Sequence, residues 1–285
     1  MSSTPSFHPV NRLAESLVVE PLGDDRFRGS TPQTTLQRTF GGLVAAQGLL
    51  SGVATVEEPF SVHSLHGYFI RPGIPDEPIT FAVDRVRDGR SFSLRSVTGL
   101  QRDKVMFSMT ASFHVPQGGL EHQNDMPQVP TPDELPENDF PEEFSEFLGT
   151  EWPDWDVRLV PAADTPLIPG VASRQMFWFR HRHALPEDPH THVAALTYMS
   201  DMTLISVAWR PHVGTEAEGA SLDHALWFLR PFRADGWLLY DQSSPSAHGG
   251  RGLARGSIFD PQGRMVASVT QEGLMRTSMQ PIPGT

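Results

Sequence analysis

The chain carries one ordered set of segments twice. Ser64-Leu-His-Gly-Tyr-Phe-Ile-Arg-Pro72 recurs as Asp223-His-Ala-Leu-Trp-Phe-Leu-Arg-Pro231, and Leu50-Ser-Gly-Val-Ala54 lies over Leu204-Ile-Ser-Val-Ala208. Arg95 to Phe113 lies without a gap over Arg255 to Gly273, matching Arg95/Arg255, Ser108/Ser268 and Thr110/Thr270. The three offsets, 159, 154 and 160 residues, differ only by small loop insertions. Such a chain is expected to fold as one unit written twice. Where the copies differ in polar residues, the difference marks function rather than architecture.

Each copy reads as one apolar helix followed by extended runs. In the first, Phe40-Gly-Gly-Leu-Val-Ala-Ala-Gln-Gly-Leu-Leu50 is a helix of small residues opened by glycines, suited to close wrapping by a sheet. Runs over Ser61–Arg71, Thr80–Arg87, Ser91–Gln101 and Lys104–His114 follow, with turns at Asp88-Gly89 and Arg102-Asp103. In the second, Ser173–Arg182 is extended and His192–Ala208 is a helix with Thr191 as its cap. Runs over Ser221–Arg230, Gly236–Gln242, Arg251–Asp260 and Arg264–Gly273 complete it, with a turn at Asp260-Pro-Gln-Gly263. The expected fold class is α+β, a tandem (double) hotdog in which each unit is a central helix wrapped by an antiparallel sheet. The expected units are residues 1–114 and 171–285, the latter carrying the site. Joined edge to edge, the two sheets would lose two exposed edges.

The formal charge of −12 belongs to one segment. Twelve acidic residues fall between Glu121 and Asp156 with no Lys or Arg among them; removing them leaves 22 acids against 22 bases. That segment, 115–170, is proline-rich and is expected to be a connector. Phe140, Phe144, Phe147, Trp152 and Trp155 make it too aromatic for a free linker, so docking along the body is expected. Without a basic stripe a nucleic-acid partner is not expected. No stretch has the length of a membrane span, and the N-terminus has no signal-peptide pattern. The C-terminus lacks a Ser-Lys-Leu ending. The chain has no cysteine, which removes disulfides, thiolate metal sites and a Cys nucleophile. A cytoplasmic location is the expectation.

Comparing polar positions, Asp201 stands opposite Gln47, Ser221 opposite Val62, and Gln271 opposite Ala111. The second copy thus holds a carboxylate, a hydroxyl and an amide where the first holds an amide and two apolar groups. Such a set can hold one water and take its proton during attack. Arg71, Arg90, Arg95, Arg230, Arg251 and Arg255 are candidates for holding an anionic nucleotide end.

The pieces Phe40-Gly-Gly42, His63-Ser-Leu-His-Gly-Tyr-Phe-Ile-Arg-Pro72, Arg87-Asp-Gly-Arg-Ser-Phe92, Thr110-Ala-Ser-Phe113 and Glu121-His-Gln123 resemble the acyl-CoA thioesterase II family. So do Tyr198-Met-Ser-Asp201, Ser221-Leu-Asp-His-Ala-Leu-Trp-Phe228 and Gln271-Glu-Gly273. The resemblance implies hydrolysis of fatty acyl-CoA to free acid and CoA without a cofactor, and assembly as a homo-oligomer. It places the water-orienting roles on Asp201, Ser221 and Gln271, the positions that the repeat comparison selects. Leu43 departs from the pattern, where several relatives have Gln after the Gly-Gly pair.

A non-catalytic acyl-CoA-binding hotdog is the alternative. It is disfavoured because a binder has no need to position water. A hydratase on this fold would need another acid/base pair. No Gly-x-Ser-x-Gly or phosphate loop occurs. His181, His183, His190 and His192 read as a solvated loop rather than a metal site. His66 and His224, in strands beside aromatics, read as packed, hydrogen-bonded core histidines.

Overall fold

The computed structural model describes residues 12–137, 140, 142–212, 214, 215 and 217–277. The expectations for the first eleven residues and for the C-terminal ending lie outside them. The first copy comprises α1 (Arg12–Ser16), β1 (Val19–Gly23), β2 (Arg26–Gly29), α2 (Gly41–Val53), β3 (Ser61–Phe69), β4 (Thr80–Asp88), β5 (Phe92–Gln101) and β6 (Lys104–His114). The acidic segment carries α3 (Glu142–Glu151) and β7 (Trp155–Leu159). The second copy comprises β8 (Ser173–His181), α4 (Pro189–Ser200), α5 (Ser206–Trp209), β9 (Ala217–Ser221), β10 (Asp223–Phe228), β11 (Leu238–His248), β12 (Arg251–Phe259) and β13 (Met265–Thr277).

All strands form one antiparallel sheet in the order β1-β2-β4-β5-β6-β3-β10-β13-β12-β11-β8-β7, with β9 beside β13. Helices α2 and α4 pack against each other. The fold is a double hotdog, and the copies join edge to edge as expected. The seam is the most visible repeat itself, β3 against β10, with Leu65 opposite Leu226 and His66 opposite Ala225. Ala225 is the repeat counterpart of His66, so a local two-fold axis runs through that pair.

Strand register tests the repeat residue by residue. Val62 faces Phe113 in the first copy and Ser221 faces Gly273 in the second, so the Val62/Ser221 match is also structural. The gapless match fails on β5 and β12. Val97 pairs with Met109 and Gly256 with Val269, which makes Gly256, not Ser257, the counterpart of Val97. The extra residue sits in the hairpin turns, short at Arg102-Asp103 and longer between Phe259 and Met265. One step along a strand reverses the face. Arg95 therefore points into the core, 1% exposed, while Arg255 faces solvent.

Helix α2 owes its depth to small residues. Val44, Ala45, Ala46, Gly48 and Leu49 are all buried, and burying Val or Leu side chains contributes roughly 1.5–3 kcal/mol each. The second helix differs from the expected single helix over His192–Ala208 capped by Thr191. It begins at Pro189, whose fixed φ suits a first helical position, and Asp188 is its cap, accepting from His190 N–H at 3.1 Å. It stops at Ser200, and a turn carries Asp201 to Ile205 before the short α5.

The acidic segment is docked, as its aromatics require. Leu135, Val160, Met176, Trp178, Leu239 and Phe259 form a second apolar cluster, and Trp178 Nε1 donates to Pro130 O at 2.9 Å. Strand β7 adds to the sheet beside β8. At the opposite end, Leu13 is buried and its N–H donates to Asp154 at 3.0 Å, so residues 12–16 are packed rather than frayed.

Candidate active site

Asp201 is the first residue after α4, Ser221 ends β9, and Gln271 lies on the inward face of β13. The structure brings the three together on one carboxylate oxygen. Ser221 Oγ donates to Asp201 Oδ1 at 3.0 Å, and Gln271 Nε2 donates to the same oxygen in a short bond. A carboxylate only accepts, which fixes the amide of Gln271 with its nitrogen toward Asp201. Its oxygen, Oε1, is buried without a protein partner. Asp201 is 6% exposed and Gln271 fully buried, so these bonds act where the dielectric is low.

The other oxygen, Oδ2, faces the first copy. A Cβ built on Gly41 would stand 2.7 Å from it and 2.9 Å from the Phe69 ring. One built on Gly42 would stand 2.2 Å from the carbonyl oxygen of Tyr198. The two glycines therefore let the N-terminus of α2 reach the C-terminal end of α4. Phe40, the residue before α2, offers no side-chain cap, so the first N–H groups of that helix are not taken by it. The positive end of the α2 dipole lies beside the carboxylate.

Next to this contact, Phe40 packs edge-on against Tyr198 at 5.0 Å and against Trp152 at 5.2 Å. The three rings, with Leu36, Leu43 and Ile79, border a narrow cleft of about 30 Å³ between the 31–39 loop, α2 and the end of α3. Much of the polar lining is already engaged. Thr34 and Thr35 hydroxyls donate to Glu151 at 2.5 and 2.6 Å, and Ser30 Oγ donates to Glu15 O at 2.8 Å.

The arginine candidates separate. Arg95 is spent inside the core on Thr55 and Asp88, at 2.8 and 2.6 Å, and cannot meet a ligand. Arg230 donates to Met265 O at 2.8 Å, Arg251 pairs with Glu272 at 2.9 Å, and Arg71 donates to Val105 O. Arg90 and Arg255 are exposed. The four histidines expected in a solvated loop are not all there: His181 ends β8 and His192 lies in α4, both buried, with His181 Nδ1 2.7 Å from His183 O and His192 Nδ1 accepting from Ala234 N–H at 3.1 Å. His224 is a buried core histidine, as expected. His66 is not: it lies on the exposed face of β3 with its ring 4.8 Å from that of Trp227.

The fold matches, at a TM-score of 0.78 and 21% identity, that of a hot-dog-fold protein from Alicyclobacillus acidocaldarius, covering 95% of this chain and 98% of that one. The likeness to acyl-CoA thioesterase II TesB2 from Mycobacterium marinum is closer, with a TM-score of 0.85 and 50% identity over 94% of this chain and 99% of that one. Residues 150–274 match the family described as acyl-CoA thioesterase, and residues 30–114 match the acyl-CoA thioesterase N-terminal domain. Acyl-coenzyme A thioesterase 8 of Homo sapiens is 36% identical over 285 aligned residues, 93% of this chain and 88% of that protein. The chain belongs to the acyl-CoA thioesterase family.

Two parts of this arrangement are not visible in the repeat comparison. Gly41 differs from Asp201 in copy and element, and only helix packing joins them. The groups that hold the Ser200–Thr203 turn come from strands whose register the sequence match does not settle.

Proposed function

We propose that the protein hydrolyses fatty acyl-CoA to free fatty acid and CoA by attack of a water held by Asp201, Ser221 and Gln271. The observation that carries this reading is the convergence of Ser221 and Gln271 on Oδ1 of a nearly buried Asp201, with Oδ2 left toward the α2 N-terminus. A water between Asp201 and Gln271 would also satisfy the buried Oε1 of Gln271. Asp201 takes a proton from this water as its oxygen bonds to the thioester carbonyl carbon. The carbonyl oxygen becomes an oxyanion, which the Gly41 and Gly42 N–H groups at the positive end of α2 are placed to stabilise. Collapse breaks the C–S bond, and the proton held by Asp201 goes to the CoA thiolate. No cofactor or metal enters these steps.

Each chain has one such centre. At the related place in the first copy stand Gln47, Val62 and Ala111, and the residue corresponding to Gly41 is Ala195, inside α4 rather than at its start. The narrow cleft beyond Phe40 and Tyr198 is where the acyl chain would enter, because Leu36, Phe40, Leu43, Ile79 and Trp152 line it, and at about 30 Å³ it must widen to hold that chain. Residues 1–114 and 171–285 are the two units, 115–170 connects them, and the protein acts in the cytoplasm as a homo-oligomer. Among the described residues no helix is long and apolar enough to cross a membrane.

The decisive assay follows free thiol released from palmitoyl-CoA, alongside hydration of crotonyl-CoA. Thiol release without hydration is the expected result. Tight acyl-CoA binding with no thiol release would favour the non-catalytic binder.

A further inference from the structure

We infer that His224, Tyr240 and Gln242 are positioning residues that hold the turn carrying Asp201, a set built only in the second copy. The inference rests on Asp201 being the base, and it extends the comparison of copies to strands that the gapless alignment misplaces. With the register corrected, Phe81 pairs with Gly99 as Tyr240 pairs with Ile258, which makes Tyr240 the counterpart of Phe81 and Gln242 that of Val83. His224 is the counterpart of Leu65, Ser200 of Ala46 and Thr203 of Leu49. Five sites that are apolar in one copy are polar in the other, and all five are buried.

Their bonds converge on residues 200–203. His224 Nε2 lies 2.8 Å from Ser200 Oγ. Tyr240 donates its hydroxyl to Ser200 O at 2.8 Å, and Gln242 Nε2 donates to Thr203 Oγ1 at 2.9 Å. Ser200 Oγ also donates to Thr197 O at 2.9 Å, which uses its single proton, so it accepts from His224 Nε2–H. His224 is then neutral, in keeping with the burial that pushes its pKa down, and its Nδ1 is left buried without a partner.

That orphan, at a place where the first copy has Leu65, separates a structural role from a positioning role. An unsatisfied buried polar atom costs stability, and Leu65 shows that leucine fits the same place in the related copy. A histidine kept only for packing would be better as leucine. One kept for geometry fixes where the first copy has nothing to fix. His224 clamps the hydroxyl and Tyr240 the carbonyl of Ser200, directly before Asp201, while Gln242 clamps Thr203 beyond it. The helix that continues through Gln47 in the first copy ends at this clamp in the second.

The test is kinetics and melting on His224→Leu, His224→Gln and Tyr240→Phe in the full chain. Loss of positioning alone is expected to lower kcat by roughly 10–100-fold for His224→Leu, the scale of a misplacement on the order of 1 Å. KM should stay within about twofold. The melting temperature should hold or rise, since the orphaned Nδ1 is gone. His224→Gln, which returns an N–H near Nε2, should recover most of the loss. Tyr240→Phe, which removes one hydroxyl and restores the first copy's residue, should lower kcat less than His224→Leu. In the Asp201→Asn background Tyr240→Phe should change kcat little, because the clamp acts through that carboxylate. Unchanged kcat in both His224→Leu and Tyr240→Phe, or a fall in kcat that tracks a fall in melting temperature, overturns the positioning role. Full activity in Asp201→Asn itself would instead remove the base, a separate failure.

Discussion

The two central helices share an origin in the repeat and do different work. Helix α2 runs unbroken from Gly41 to Val53, and Gln47 in its middle is fully buried. The Gln47 amide donates to Ser16 O at 2.8 Å and Ser30 O at 2.9 Å, tying α1 and β2 to the helix. Helix α4 stops one residue before the position equivalent to Gln47, and Asp201 there accepts from Ser221 and Gln271 instead. One copy spends its polar residue on holding the fold together, and the other exposes a carboxylate oxygen to the partner helix. The copies are nonetheless not scaffold and enzyme in isolation. Gly41 lies against Oδ2 and Gly42 against the carbonyl oxygen of Tyr198, so the first copy supplies one wall of the site.

The largest effect that would break this comparison comes from the carboxylate. Asp201→Asn is expected to lower kcat by roughly 10²–10⁴-fold while the protein melts normally, since the amide is nearly isosteric. Steady-state kinetics with a melting curve decides it, and activity within threefold of the parent removes Asp201 from the chemistry. Gly41→Ala comes next. Its Cβ would press on Oδ2 and on the Phe69 ring, so kcat is expected to fall by roughly 10–100-fold, with KM little changed. An unaffected Gly41→Ala enzyme would mean that the first copy is not a wall of the site.

The third expectation sharpens the role of the first copy in the acyl cavity. Leu36→Trp narrows it from the mobile-chain side of the substrate, so kcat/KM for palmitoyl-CoA should drop by roughly tenfold or more while that for butyryl-CoA changes little. A uniform loss across chain lengths would place the acyl chain elsewhere. Gln47→Ala inverts the Asp201 result. It leaves buried carbonyls unpaired at roughly 2 kcal/mol, lowering the melting temperature by roughly 4–8 °C with turnover within threefold. Equal kcat losses in folded Gln47→Ala and Asp201→Ala proteins would mean that both copies feed the reaction.

The smallest effect concerns pH, and it falls mainly on the second copy, since in the first only His63, among the described residues, has its pKa lowered by burial. Burial lowers the pKa of His181, His192 and His224 from the ordinary 6.5, so the folded protein keeps them neutral. The unfolded chain binds their protons first as pH drops below about 6.5. Stability from this source is therefore full above that value and declines toward acid. Thermal melts from pH 7.5 to 5 should show the decline, and it should be shallower in His192→Gln. Identical slopes in the two proteins would show that His192 contributes nothing to it.

Much of this molecule was legible in the amino-acid sequence because a repeat repeats its hydrophobic pattern. The helix-then-strands order, most strand bounds within a few residues, the edge-to-edge seam and the docked aromatic connector all follow from apolar periodicity, which acts locally. The three residues around Asp201 were legible for another reason: losing polarity in one copy leaves a visible contrast at aligned positions. Local pattern could not show that the second helix stops at Ser200, because its apolar run continues past Asp201 to Ala208. Groups from β10 and β11 hold that turn. Nor could identity matching detect the one-residue slip between β5 and β12, where equal arginines take opposite faces, since only strand pairing fixes the face. Sequence alone determined which unit is doubled and which copy kept a carboxylate, as both are properties of order along the chain. Tertiary structure decided what that carboxylate meets, because the N-terminus of α2 reaches Asp201 only across the packed helices, where the absence of two Cβ atoms allows the approach.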